Sequence, residues 1–149
     1  MIALVQRVLR AEVRRRGGER LGAIDRGLLV LVCAEVGDGA SDAQWMSRRL
    51  ATLRIFNDAD GKMNLDCRQA GGAFMVVSQF TLAADTARGN RPSFLGAARP
   101  DEAAPLVDLV VAGLKELQFQ VEVGEFGADM EVELVNEGPV TVPLRSRDR

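Results

Sequence analysis

The chain has 149 residues, with 19 Lys and Arg against 21 Asp and Glu for a net charge of −2. That length suits one domain with a sizeable core, and the charge excludes a globally basic nucleic-acid binder. Histidine and tyrosine are absent, which excludes Ser-His-Asp and Cys-His hydrolysis, His-ligated zinc and His-based acid–base catalysis. Apolar residues make up 47% and charged residues 27%, so the chain reads as neither disordered nor membrane-spanning. The longest apolar run, Leu28 to Ala34, is far short of the ~20 residues of a spanning helix. Arg7 and Arg10 interrupt the N-terminus before a signal-peptide core could form, and Cys33 and Cys67 make no disulfide framework. The expectation is a single cytoplasmic domain over residues 1–149.

In chain order, Ile2 to Val8 alternates as a half-buried strand, and Ala11 to Arg16 can pair onward from it. Gly17-Gly18 signals a hairpin into a strand over Arg20 to Ile24. Gly27 opens Leu28 to Val32, a central strand buried on both faces, which Gly37-Asp38-Gly39 breaks. Ser41-Asp42-Ala43-Gln44 fits a capping box, with Met46, Leu50 and Leu53 at helical spacing behind it. A turn at Asn57 to Gly61 leads past Met63 and Leu65 to Gly71-Gly72, and a strand from Ala73 to Val77 runs directly into Ser78-Gln79-Phe80-Thr81-Leu82. Ala83 to Pro100 reads as loop. A second helix follows over Asp101 to Leu117, with Val107, Val110, Leu114 and Leu117 on one face. Alternation returns at Phe119 to Val123 and at Met130 to Leu134, before Asn136-Glu137-Gly138-Pro139-Val140-Thr141 and a short strand. Mostly strand with two helices is an α+β pattern.

Several features invite a function. Asp58-Ala59-Asp60-Gly61 suggests calcium, yet with Gly61 as the sixth loop position the first and twelfth fall on Phe56 and Cys67; a polar turn is the better reading. No Cys or carboxylate set has metal-ligand spacing, and no metal or cofactor is expected. Arg14, Arg15 and Arg16 cluster with Arg20 around the hairpin, either as a solvated edge that discourages aggregation or as a phosphate site. Ser78 and Thr81 are candidate nucleophiles that lack a histidine base, or residues that simply close a strand. Gly138-Pro139 is a plain turn or a cis peptide.

Taken together, Ser78-Gln79-Phe80-Thr81-Leu82 and Asn136-Glu137-Gly138-Pro139-Val140-Thr141 resemble the signature pair of the D-aminoacyl-tRNA deacylases. The likeness extends through Val5-Gln6-Arg7-Val8, Leu53-Arg54-Ile55-Phe56, Gly61-Lys62-Met63-Asn64, Gly89-Asn90-Arg91-Pro92-Ser93-Phe94 and Phe126-Gly127-Ala128-Asp129-Met130. The resemblance implies a mostly antiparallel, barrel-like curled sheet with two main helices, and a metal-free homodimer. The implied activity is hydrolysis of the ester between a D-amino acid and the aminoacylated 3′ end of tRNA, with mischarged glycyl-tRNA also accepted; neither DNA nor a membrane is an implied partner. Ser78, Gln79, Phe80 and Thr81 would form the catalytic segment, with backbone N–H groups near Phe80 and Thr81 facing the ester. Gly138 and Pro139, in cis and held by Arg7, would reach into the partner's pocket as a chiral filter. Arg88, Arg91 and Arg14 to Arg16 are the candidates for tRNA contact. Ala83 and Ala87 stand where many members carry a tyrosine and a basic residue, which bears on the adenosine wall and the tRNA-body contacts.

This chemistry suits a chain without histidine. An aminoacyl ester is already activated, so a positioned water and donors for the developing oxyanion count for more than a strong side-chain base. Two other readings stay open: a tRNA-binding module without hydrolysis, and a hydrolase forming an acyl-enzyme on Thr81.

Overall fold

The alternating N-terminal segment and its continuation form one strand. In the computed structural model, which describes residues 1–149, β1 runs from Ile2 to Arg15. Antiparallel partners are β3 (Gly27–Cys33) along Ile2 to Val8, β2 (Arg20–Ile24) along Ala11 to Arg14, and β8 (Met130–Arg145) along the whole strand. Beyond β3 the sheet becomes parallel, through β6 (Ala73–Ser78) to β7 (Val121–Val123). The curled sheet is therefore mixed, with three antiparallel pairings and two parallel ones. Phe56–Asn57 (β4) and Met63–Leu65 (β5) make a separate small hairpin. Its turn is a polar one: the Asp58 carboxylate accepts from the Asp60 and Lys62 amides.

Alternation along the strands divides the core in two. Leu28, Val30 and Val32 of β3 with Phe74 and Val76 of β6 face the helices α1 (Ala40–Ala51) and α2 (Pro100–Glu116). Leu29, Met75 and Val77 face the other way, into a smaller cluster with Val8, Val13 and Ile24. β2 folds over that second face so closely that a Cβ on Gly22 would lie 3.2 Å from the Glu122 Cβ and 3.5 Å from the Met75 Cε. This return of β2 over β6 and β7 is what makes the sheet barrel-like.

Two local expectations change. The N-cap of α1 is Gly39, whose N–H donates to the Asp42 carboxylate at 3.0 Å. Glycine tolerates the cap geometry, and Asp42 supplies the N3 half of a capping box, so the helix starts before Ser41 and ends before Leu53. β6 ends at Ser78, one residue beyond the expected Val77, and the chain then turns into a 3-10 segment over Phe80–Ala83. Finally, Met130 to Arg145 is a single strand, because β1 is long enough to pair with both of its limbs, Met130 to Asn136 and Thr141 to Arg145. No helix is long and apolar enough to cross a membrane.

Candidate active site

The parallel strands β3 and β6 end side by side, and a crevice beyond the carboxyl ends of parallel strands is a common ligand site. The Gln79 N–H donates to the Val32 carbonyl at 2.7 Å, which extends the pairing one residue before the 3-10 turn. A cleft of about 650 Å³ opens there. Val32, Cys33 and Val77 form its apolar base; Ser78, Gln79 and Phe80 form one rim. Phe80 stays 57% exposed although it is aromatic, with its ring edge-on to Phe94 at 5.1 Å. An apolar cleft with few polar groups at its edge is the usual form of a small-molecule site.

The 3-10 turn brings its own chemistry. Its first two amides, of Phe80 and Thr81, donate to no acceptor in the chain, whereas those of Leu82 and Ala84 bond back to Gln79 and Thr81. Two adjacent free donors beside an apolar cleft can stabilise a developing oxyanion. The Gln79 carboxamide donates to the Thr81 hydroxyl. An amide N–H cannot take up a proton, so Thr81 has no base beside it. Cys33 lies under the turn with its thiol directed at the Phe80 carbonyl at 3.6 Å. Burial, then the Glu35 charge, pushes that thiol above its ordinary range. Burial, then the Asp66 charge, pushes Cys67 up to about 12. Both are core thiols, with no group of metal-binding side chains around them.

Arg7, Gly138 and Pro139 form a second assembly. Along β1 and β8, Gln6 pairs with Thr141 and Val8 with Asn136, so Glu137–Val140 leaves the ladder as a protrusion. Gly138-Pro139 at its tip is exposed and in cis, and Gly138 has φ of +126°. Arg7, only 5% exposed, donates to the Ile55 carbonyl at 2.6 Å and to Asn57 Oδ1 at 3.2 Å. Its Nε lies 3.1 Å from Glu137 Oε2, an ion-pair distance without hydrogen-bond alignment. Neither Gly138 nor Pro139 lines the cleft of its own chain.

The arginines divide as well. Arg14 pairs with Glu12, Arg15 with Glu125 and Arg16 with Asp129. Hydrogen bonding to Glu125 and Asp129 raises the pKa of Arg15 and Arg16. The Arg16 N–H also donates to the Asp129 carbonyl at 2.9 Å, so the hairpin grips the segment whose Phe126 and Asp129 form the far wall of the cleft. That wall carries residues to which sequence reasoning gave no role, although Phe126-Gly127-Ala128-Asp129-Met130 already stood in the family likeness. Arg88 and Arg91 instead stand exposed and without ion-pair partners, on a loop closed by paired Asp85–Ser93 backbone bonds at 2.8 and 2.9 Å. Phe94, the next residue but one after Pro92, carries that loop to the cleft edge.

Known proteins resemble this chain over nearly its whole length. The sequence profile of the family described as D-Tyr-tRNA(Tyr) deacylase matches residues 4–145. A D-aminoacyl-tRNA deacylase of Aromatoleum aromaticum is 54% identical, over 97% of this chain and 95% of its own. One from Anaeromyxobacter dehalogenans is 55% identical, over 99% and 98%. Among solved structures, a c-Myc DNA unwinding element binding protein superposes with a TM-score of 0.90 at 35% identity, covering 97% of this chain and 98% of its own. A probable eukaryotic D-amino acid tRNA deacylase shares the fold, with a TM-score of 0.79 at 14% identity over 96% and 97% of the two chains. The chain belongs to the D-Tyr-tRNA(Tyr) deacylase family.

Proposed function

We propose that the protein hydrolyses the ester bond of D-aminoacyl-tRNA, adding water to the acyl carbon and releasing the free D-amino acid and the tRNA 3′ end. The observation that carries this reading is the pair of unengaged Phe80 and Thr81 amides in the turn whose Phe80 lines the apolar cleft, in a chain of this family. The amides stabilise the oxyanion that forms as water attacks, and the vicinal ribose hydroxyl assists proton transfer to the leaving oxygen. Ser78 and Gln79 shape the rim and Phe80 covers it. Thr81 contributes its backbone, and its hydroxyl accepts a hydrogen bond from the Gln79 carboxamide; it forms no acyl-enzyme.

Chirality is read by obstruction. D and L esters carry the same groups, so contacts alone separate them poorly, while a rigid obstacle in the path of the L side chain separates them well. In a homodimer, the protrusion of one subunit enters the cleft of the other. Its Gly138 and Pro139 block the L side chain and offer carbonyls to the α-ammonium, and Arg7 supports them from below. The exposure of the tip and its absence from its own cleft support this use of a partner. Glycyl-tRNA, having no side chain to obstruct, is hydrolysed too.

The test is deacylation of matched D- and L-aminoacyl-tRNA by the purified protein, with Thr81→Ala alongside. D esters are cleaved and L esters spared, and Thr81→Ala keeps appreciable activity. Equal rates on both enantiomers would end the proofreading reading. Loss of all turnover in Thr81→Ala, with fold and tRNA binding intact, would favour the acyl-enzyme route.

A further inference from the structure

The geometry points to Asn136 as the positioning residue of the Glu137–Val140 protrusion, with Thr141 and Gln6 as its support. A segment that leaves an antiparallel ladder also leaves its hydrogen bonds, and the freed backbone groups need new partners. Here one side chain supplies the partner of the returning limb. Asn136 Oδ1 accepts the Val140 N–H at 3.0 Å, and Asn136 Nδ2 donates to the Thr141 hydroxyl at 3.0 Å. That hydroxyl also accepts from Gln6 Nε2 at 3.2 Å. Asn136 and Thr141 are the last paired residues on either side of the excursion, facing Val8 and Gln6 of β1. The carboxamide thus closes the protrusion at its base and ties it to the strand beneath.

Holding Val140 also holds the tip. The Gly138 backbone packs so near Val140 that a Cβ on Gly138 would meet the Val140 Cγ2 at 2.8 Å and the Val140 nitrogen at 3.1 Å. Arg7 bounds the same space from below, its Nη2 lying 3.2 Å from that Cβ position. Arg7 therefore limits how far the protrusion sinks, and Asn136 sets where its return limb lies. Asparagine fits because it accepts and donates at once. Aspartate would keep the bond from the Val140 N–H, and the Thr141 hydroxyl, which carries its own proton, could turn to donate to it. Leucine has similar bulk and offers neither bond.

The inference rests on the reading of the protrusion as the chiral filter, and two separate measurements test it. The first is hydrogen exchange of the Val140 amide, followed by NMR in the folded dimer or monomer as purified. The second is the ratio of kcat/KM for matched D- and L-aminoacyl-tRNA. In Asn136→Leu the Val140 amide exchanges about five- to tenfold faster, the ratio expected for one lost hydrogen bond. D/L discrimination falls by a similar factor, and Asn136→Asp restores both. Thr141→Val leaves Asn136 in place and shows the same pattern at smaller amplitude, which covers the case of an Asn136→Leu protein that folds poorly. Unchanged Val140 exchange in both variants overturns the positioning role whatever the activity. Faster exchange with discrimination intact overturns its link to specificity and leaves the deacylase reading standing. A wild-type protein that does not discriminate fails the filter reading, and the exchange measurement still decides what holds the protrusion.

Discussion

The β3–β6 pairing and the β8 protrusion each contain a glycine with close neighbours, and they are specified by different forces. Gly27 is buried where two parallel strands begin; a Cβ there would lie 2.0 Å from the Ala73 carbonyl oxygen. The backbones on both sides carry fully buried neighbours, Leu28 and Phe74. Gly138 stands in solvent on an excursion held by side-chain bonds from Asn136 and the Arg7–Glu137 ion pair. Close-packed interiors resist displacement in every direction. An exposed excursion resists only along the few bonds that tie it down. Changes in the first region should therefore reach stability, and changes in the second should reach specificity.

The largest effect expected on this division is that of Gly27→Ala. The new methyl meets backbone and cannot be accommodated by turning a side chain, so β3 and β6 must part. Overpacking in a core commonly costs 1–3 kcal/mol, and this contact is harder than most, so a loss of about 3 kcal/mol or more is expected. Urea denaturation measures it. A midpoint near that of the parent protein would show that the strands can slide apart cheaply, and would erase the contrast with the protrusion.

Gly138→Ala probes the other side. At φ of +126° an L side chain is strained, and the added Cβ crowds the Val140 side chain and nitrogen. The exposed loop can move to relieve this, so the urea midpoint should shift little. The tip, however, is displaced, and a misplacement of about 1 Å in a positioned group can cost ~10²-fold in rate. D/L discrimination in kcat/KM should fall by roughly that factor. A variant that loses stability and keeps discrimination would reverse the assignment of the two regions.

The same contrast explains what could be read in the sequence. Elements set by burial were legible: the alternation of β1, the run Leu28 to Val32 and the apolar face of α2 appear nearly where periodicity puts them. Boundaries set by single polar bonds were not. The start of α1 depends on Asp42 reaching back to Gly39, and the 3-10 turn that follows β6 depends on the backbone at Gln79. Neither leaves a periodic trace. At the site, Ser78 to Phe80 could be singled out because polar residues follow a buried strand. The far wall at Phe126 and Asp129 is brought in by a hairpin more than a hundred residues upstream in Arg16, and no local pattern marks that contact. Asn136 was visible as part of a motif, but its role follows from the register of β8 on β1.

The smallest expected effect concerns the arginines, where sequence makes two groups look alike and their surroundings do not. Arg14, Arg15 and Arg16 already face Glu12, Glu125 and Asp129; a phosphate approaching them meets a neutralised edge. Arg88 and Arg91 have no acidic partner and lie on the loop leading to Phe94 at the cleft. If the tRNA 3′ end is held there, each of these two arginines releases counterions on binding. Removing one should make the slope of log K against log salt shallower by roughly 0.7–0.9, so that the variant loses about threefold less affinity than the parent protein between 50 and 200 mM salt. Arg88→Ala and Arg91→Ala should each show that change in a tRNA-binding titration at several salt concentrations. Arg15→Ala and Arg16→Ala should leave the slope unaltered, because a cation spent on an internal carboxylate displaces no counterion from tRNA. They should instead alter KM for the aminoacyl end, by freeing the Glu125 and Asp129 anchors of the cleft wall. Equal slope changes in both groups would show that the internal pairs open to meet the tRNA, and that the hairpin belongs with the exposed loop and not with the scaffold.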